Sequence, residues 1–271
     1  MPEAATTSIL DTIVARRRED VAATKLHTPV AELLDRIQSA PPVVAFKARL
    51  DASAPMAVIA EVKRASPSKG DIAPWIDAAE QALRYATAGA AAISVLTEPT
   101  WFKGTLDDML GARLAVDALG SSRPAILRKD FIIDAYQVLE ARAYGADTLL
   151  LIVASLSDRE LTELLAYSRS FAMEPLVEVN DAEEMRRAIA IGAEVIGVNN
   201  RDLRSFRVDL GTTDRLAGMV PKNIILAALS GISTRADVER FQSVGARAVL
   251  VGEALMVAAD PGMKICELRG C

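Results

Sequence analysis

Short apolar runs recur along the chain, and four of them follow a Gly-Ala pair: Gly89-Ala90 before Ala91–Leu96, Gly145-Ala146 before Asp147–Val153, Gly192-Ala193 before Glu194–Val198, and Gly245-Ala246 before Arg247–Val251. Each glycine stands where a helix would end and the chain turn into a buried strand. The interval of roughly 50 residues fits two β/α units, so the four repeats predict four pairs of them. Apolar runs at Met56–Lys63, Ala125–Arg128, Met173–Val179 and Ile224–Ala228 supply the intervening strands, which makes eight. Such runs, without polar alternation, are typical of strands covered on both faces of a parallel sheet.

Helix starts follow several strands. A hydroxyl or Asp precedes an acid by three residues at Thr105/Asp108, Ser157/Glu160, Asp181/Glu184 and Thr234/Asp237, the spacing of a capping box. Between Asp77 and Ala86, Ala79, Leu83 and Ala86 recur at helical spacing. Eight strand–loop–helix units without a topological break predict an α/β fold of the closed (β/α)8 TIM-barrel type. Residues 1–50 precede the first strand and read as an N-terminal helical extension, with Ser8 and Asp11 as a capping pair; the barrel then occupies 51–271, the whole forming one structural domain. Pattern alone leaves open whether the extension covers the barrel bottom or one side of its mouth.

The length of 271 residues fits one such barrel. A formal charge of −5 argues against a surface for nucleic acid or an anionic membrane. The run Arg16-Arg17-Arg18, followed by Glu19-Asp20, reads as a solvated helix face. The two cysteines, Cys266 and Cys271, form neither a disulfide framework nor a zinc motif, and no apolar stretch is long enough to span a membrane. A reducing, cytoplasmic setting is expected. The single histidine, His27, lies in a polar stretch, so acid–base chemistry falls to lysines and carboxylates.

Active sites of such barrels are built at the C-terminal strand ends. That rule nominates Glu61 and Lys63, which lie two apart and therefore point to one side, then Arg128, Lys129 and Asp130, Glu178 and Asn180, and Asn199, Asn200 and Arg201. Charges in apolar strands are costly unless paired or functional. Burial is expected to raise the glutamates toward use as a base. Ser230-Gly231 and Gly252-Glu253 follow the last two strands, where barrel enzymes often cradle a phosphate with backbone N–H groups. No nucleotide-binding motif and no metal constellation is present in the sequence, so no cofactor is expected.

The segments AEVKRASPSKG (60–70), SVLTEPTWFKG (94–104), LRKDFIIDAYQ (127–137), LLLIVA (149–154), PLVEVND (175–181), IGVNNRDL (196–203) and LVGEALM (250–256) together resemble the indole-3-glycerol-phosphate synthases. The resemblance runs in order through essentially the whole chain. It implies a decarboxylating ring closure in tryptophan biosynthesis, with Lys129 as general acid, Glu178 as base, and Glu61 and Lys63 assisting proton transfer. It further implies substrate contacts from Ser66, Phe131, Asn180, Asn199 and Arg201. Ser230, Gly231, Gly252 and Glu253 would face the phosphate, Glu253 through its backbone N–H. The segment Ser66–Gly70 would be a lid.

One position departs from the family. Many members read Glu-Ser-Gly after the seventh strand, whereas this chain has Leu229-Ser230-Gly231. That resembles the fungal type, commonly one domain of a larger fused tryptophan-pathway protein, which would make Cys271 a boundary within a longer chain. Two other readings stand beside the lyase: a Schiff-base aldolase using Lys129 on a sugar phosphate, and a catalytically silent barrel kept as a binding module.

Overall fold

The computed structural model describes residues 8–203 and 206–271; the first seven residues of the expected extension lie outside the described residues. The eight apolar runs form strands β1 (Ala57–Val62), β2 (Ala92–Leu96), β3 (Ala125–Lys129), β4 (Thr148–Ile152), β5 (Leu176–Val179), β6 (Val195–Asn199), β7 (Ile225–Leu229) and β8 (Ala248–Val251). All neighbours pair in parallel and β8 closes on β1, giving the predicted (β/α)8 barrel. Two-residue periodicity sorts each strand into two cores. Ala57, Ile59, Leu127, Leu150, Leu176 and Ile225 fill the barrel, while Val58, Val62, Ile126, Leu151, Val177 and Val249 face the helices.

The outer ring comprises α4 (Ala78–Thr87), α5 (Leu106–Ala115), α6 (Ala135–Ala143), α7 (Asp158–Ser170), α8 (Ala182–Ala190), α9 (Gly211–Ala217), α10 (Arg235–Ser243), α11 (Glu253–Met256) and α12 (Pro261–Arg269). Reciprocal capping boxes start α5, α7 and α10 at Thr105, Ser157 and Thr234. At α8 the Asp181 side chain accepts from the Glu183 and Glu184 N–H groups, while the Glu184 carboxylate reaches back to the Asn180 N–H. The four repeat glycines take φ of 77° to 96°, the left-handed turn that a side chain would resist.

The extension folds as α1 (Ile9–His27), α2 (Val30–Ser39) and α3 (Phe46–Asp51), and it covers both places left open by the sequence. Leu10 of α1 joins Ile152, Asn180 and Leu203 around a small pocket at the mouth. Phe46 and Leu50 of α3 pack into the interior core at the opposite end, where Asp51 pairs with Arg247 and the Val44 N–H donates to Asp147, both next to strand starts.

The basic run of α1 is not a uniformly solvated face. Arg16 and Arg18 are exposed, but Arg17 is buried, with its guanidinium 3.0 Å from Asp130 and 3.1 Å from Asp20. A long aliphatic stem lets Arg cross apolar surface to reach buried carboxylates. At the other terminus, the turn at Gly270 brings the free thiols of Cys266 and Cys271 within 2.8 Å. Among the described residues, no helix is long and apolar enough to cross a membrane.

Candidate active site

Strand alternation continues past the apolar layers and turns polar side chains inward at the C-terminal end. Glu61, Lys63, Lys129, Glu178 and Asn199 line one cavity of about 860 Å³, within the range that holds a small organic ligand. Ser66, Phe131, Arg201, Ser230, Gly231, Gly252 and Glu253 line it too. Asn180 does not. It borders an adjoining pocket of about 230 Å³ that shares Glu178, and its side-chain amide donates to the Asn199 carbonyl at 2.6 Å.

Two lysine–carboxylate pairs form the floor. Lys63 Nζ lies 2.7 Å from Glu61 Oε1, and Lys129 Nζ lies 3.7 Å from Glu178 Oε2. The Asn199 amide donates to Glu178 Oε1 at 2.8 Å, whereas the buried Oε2 has no hydrogen-bond partner. A buried oxygen held on one side and uncommitted on the other is placed to exchange a proton with a ligand or with Lys129.

Burial pushes the Glu61 carboxyl up, but Lys63 and Lys129, the Lys63 hydrogen bond and Arg201 together hold it below the ordinary range. The expectation that burial would raise this glutamate is therefore corrected, because the cations facing it outweigh desolvation. Each lysine has a carboxylate without an acid at position 229. Leu229 points into the barrel and occupies space that a side chain at Gly197 would need, since a Cβ there would meet Leu229 Cδ1 at 2.7 Å.

The cavity has an aromatic end and a backbone end. Phe102 and Phe131, with ring centroids 6.1 Å apart, wall the β2–β3 side. Roughly across the barrel, Ser230 and Gly231 adopt left-handed φ of 65° and 81° beyond β7, and Gly252 caps α11 beyond β8. A Cβ on Gly252 would strike the Glu61 carboxylate; the bare backbone there leaves the Glu61–Lys63 pair its room.

Over the mouth, Ala65–Ser66 and Gly70–Asp71 form a small antiparallel hairpin. Lys69 at its tip lies 3.2 Å from the Glu253 carboxylate, and Ser68 accepts from Arg201 at 3.4 Å. Glu253 thus turns its charge to Lys69.

Sequence reasoning also nominated Arg128, Asp130 and Asn200. Asp130 borders the cavity; Arg128 lies behind it, bonding Glu140, Gln137 O, Thr97 and Asp130, and Asn200 holds Thr213 and the Ser230 carbonyl. Phe102, Ile152, Leu203, Leu250 and Lys264 line the cavity without having been singled out, and Lys69 lines it from the segment expected as a lid. Phe102 was within reach, because it falls in the loop after a barrel strand; Lys264 was not, since it lies on a helix and not at a strand end.

A model of the indole-3-glycerol phosphate synthase family matches residues 10–268. The chain belongs to the indole-3-glycerol phosphate synthase family. It is 57% identical over 265 residues to the multifunctional tryptophan biosynthesis protein of Schizosaccharomyces pombe, covering 96% of this chain and 35% of that one. The namesake of Phycomyces blakesleeanus is likewise 57% identical over 268 residues, with 97% and 35% covered. The chain therefore spans about a third of the length of these curated relatives. The indole-3-glycerol phosphate synthase of Roseiflexus sp. (strain RS-1) is 49% identical over 265 residues, covering 97% of this chain and 98% of that one. Among solved structures, 3-hexulose-6-phosphate synthase from Salmonella typhimurium superposes with a TM-score of 0.61 at 12% identity, covering 79% of this chain and 97% of that one. That likeness concerns the fold alone. The family is one of decarboxylating lyases of tryptophan biosynthesis.

Proposed function

We propose that the chain converts 1-(2-carboxyphenylamino)-1-deoxyribulose 5-phosphate to indole-3-glycerol phosphate, carbon dioxide and water. The observation that carries this reading is the facing pair Lys129 and Glu178, with Glu178 Oε2 uncommitted, between an aromatic wall and a backbone-lined end of one cavity.

The anthranilate ring stacks by Phe131 and Phe102, and the phosphate takes backbone N–H groups at Ser230, Gly231, Gly252 and Glu253. Spanning the two places the keto carbon over the floor. Lys129 gives its proton to the keto oxygen as the ring carbon bearing the carboxylate attacks, so one C–C bond forms and the carbonyl becomes a hydroxyl. Loss of carbon dioxide breaks the C–C bond to the carboxyl group and restores the aromatic ring. The hydroxyl then leaves as water, protonated with help from Lys63 and Glu61, while Glu178 accepts the proton released as the pyrrole double bond forms. Ser66 and Arg201 hold the carboxylate, and Asn180 acts through Asn199, which fixes Glu178.

Three relatives carry the matching segment within a longer multifunctional chain, and we infer that this segment works beside other tryptophan-pathway domains. Its free thiols fit the cytoplasm.

The test is the fluorescence of indole-3-glycerol phosphate formed by the purified chain. Lys129→Ala should lower kcat by about a thousandfold while leaving the circular-dichroism spectrum unchanged. A folded wild type without turnover would favour the silent barrel, and a borohydride-trapped adduct on Lys129 with a ketose phosphate would favour the aldolase.

A further inference from the structure

We propose that Arg17, on the N-terminal helix α1, is a positioning residue for the reaction: acting through Asp130, it fixes Lys129 and Phe131 at the cavity. The inference rests on the roles given above to those two residues.

Asp130 lies between them in the chain, with no exposed side-chain surface, and both its oxygens accept hydrogen bonds. Oδ2 accepts from Arg17 at 3.0 Å, Thr97 Oγ1 at 2.7 Å and Arg128 at 3.0 Å. Oδ1 accepts from the Phe131 N–H at 2.8 Å. The carboxylate therefore sets the backbone at the point where the chain passes from Lys129 to Phe131. Thr97 adds a second tie, because its own N–H donates to the Lys129 carbonyl at 3.1 Å. Gln137 holds the far side, donating to the Phe131 carbonyl and accepting from Ile133.

Arg17 brings to this network a contact from 113 residues away. Arg128 already serves both Asp130 and Glu140, so without Arg17 one guanidinium would face two buried carboxylates. It would be drawn between them, and Asp130 would lose a fixed partner on the α1 side. The charges agree with this arrangement. Burial pushes Asp130 up, yet Arg128 and Arg17 hold it below the usual carboxylate range. Burial likewise pulls Arg17 down, and Asp130 and Asp20 raise it above its ordinary value. A displacement on the order of 1 Å at a catalytic group costs up to about a hundredfold in rate, so a tie on this backbone bears on turnover as well as on stability.

The experiment compares wild type, Arg17→Met and Arg17→Lys by two readings: steady-state kcat and KM, and the acetylation rate of Lys129 relative to exposed Lys222, read by peptide mass spectrometry. Arg17→Met should lower kcat by about tenfold with KM changed less than about threefold, and the relative labelling of Lys129 should rise about threefold. Arg17→Lys keeps the charge but loses the planar fork, and should fall between the two on both readings. Wild-type kcat and labelling in a folded Arg17→Met protein, with only the melting temperature lowered, would overturn the proposal. If Arg17→Met does not fold, wild-type values for both readings in Arg17→Lys would overturn it equally. The labelling does not depend on turnover. An inactive wild type whose Lys129 labelling still responds to Arg17 would defeat the proposed function and leave the positioning role standing.

Discussion

At the scale of single residues, the site depends as much on what is missing from a position as on what is present. Gly252 carries no side chain where a Cβ would press on the Glu61 carboxylate and come 3.1 Å from Lys63 Nζ. Gly252→Ala should therefore push the Glu61–Lys63 pair out of place and lower kcat about tenfold or more. The melting temperature should move little, because the atoms displaced are side-chain ends facing the cavity. Adding Glu61→Asp shortens the crowded side chain and should recover part of the loss, which steady-state product fluorescence will measure. The inward carboxylates and lysines were legible in the sequence because alternation along an apolar strand is a local pattern. Arg17 was not, since a basic residue next to acids looks solvated until the chain brings Asp130 to it.

At the scale of elements, strands and capped helices were readable for the same local reason, whereas the placing of α1 and α3 depended on surfaces that only the closed barrel creates. The loop after β2 shows how an element is held to a site without touching it. Glu98 is fully buried, and its two oxygens accept from the Thr100, Trp101 and Phe102 N–H groups at 2.8 to 3.0 Å. It lies outside the cavity that Phe102 lines. Glu98→Gln keeps the shape but turns an NH2 toward at least one backbone donor, leaving that donor unpaired. The expected cost is about 2–3 kcal/mol, seen as a lower urea midpoint. A loosened Phe102 should raise KM by roughly fivefold with kcat less affected. A lower midpoint with unchanged KM would mean that the aromatic wall keeps its place without this turn.

Over the whole molecule, buried charge is gathered at both ends of the barrel. The mouth holds Glu61 and the Arg17–Asp130–Arg128–Glu140 network, while at the opposite end Arg123 pairs with Asp147, which also accepts from the Val44 and Ile126 N–H groups. Sequence reading nominated Glu61, Arg128 and Asp130 but neither Arg17, Glu140, Arg123 and Asp147 nor this division, since the pairs join distant segments. The mouth makes stability depend on acid. For Glu61, burial is outweighed by Lys63, Lys129 and Arg201; for Asp130, by Arg128 and Arg17. Both carboxyls are therefore held below their ordinary range. Below about pH 4 the unfolded chain binds protons that the native protein refuses. Unfolding then takes up protons, so acid favours it: the stabilisation is complete above the unfolded pKa and is lost as the pH falls through the native one. The urea midpoint should thus fall steeply from about pH 5 toward about pH 3. Arg17→Met should be less stable than wild type at pH 6 and should lose less on acidification, because Asp130 then has one cation fewer holding it ionised. Parallel curves for the two proteins would show that Arg17 does not govern the ionisation of Asp130, and that the acid sensitivity arises elsewhere in the barrel.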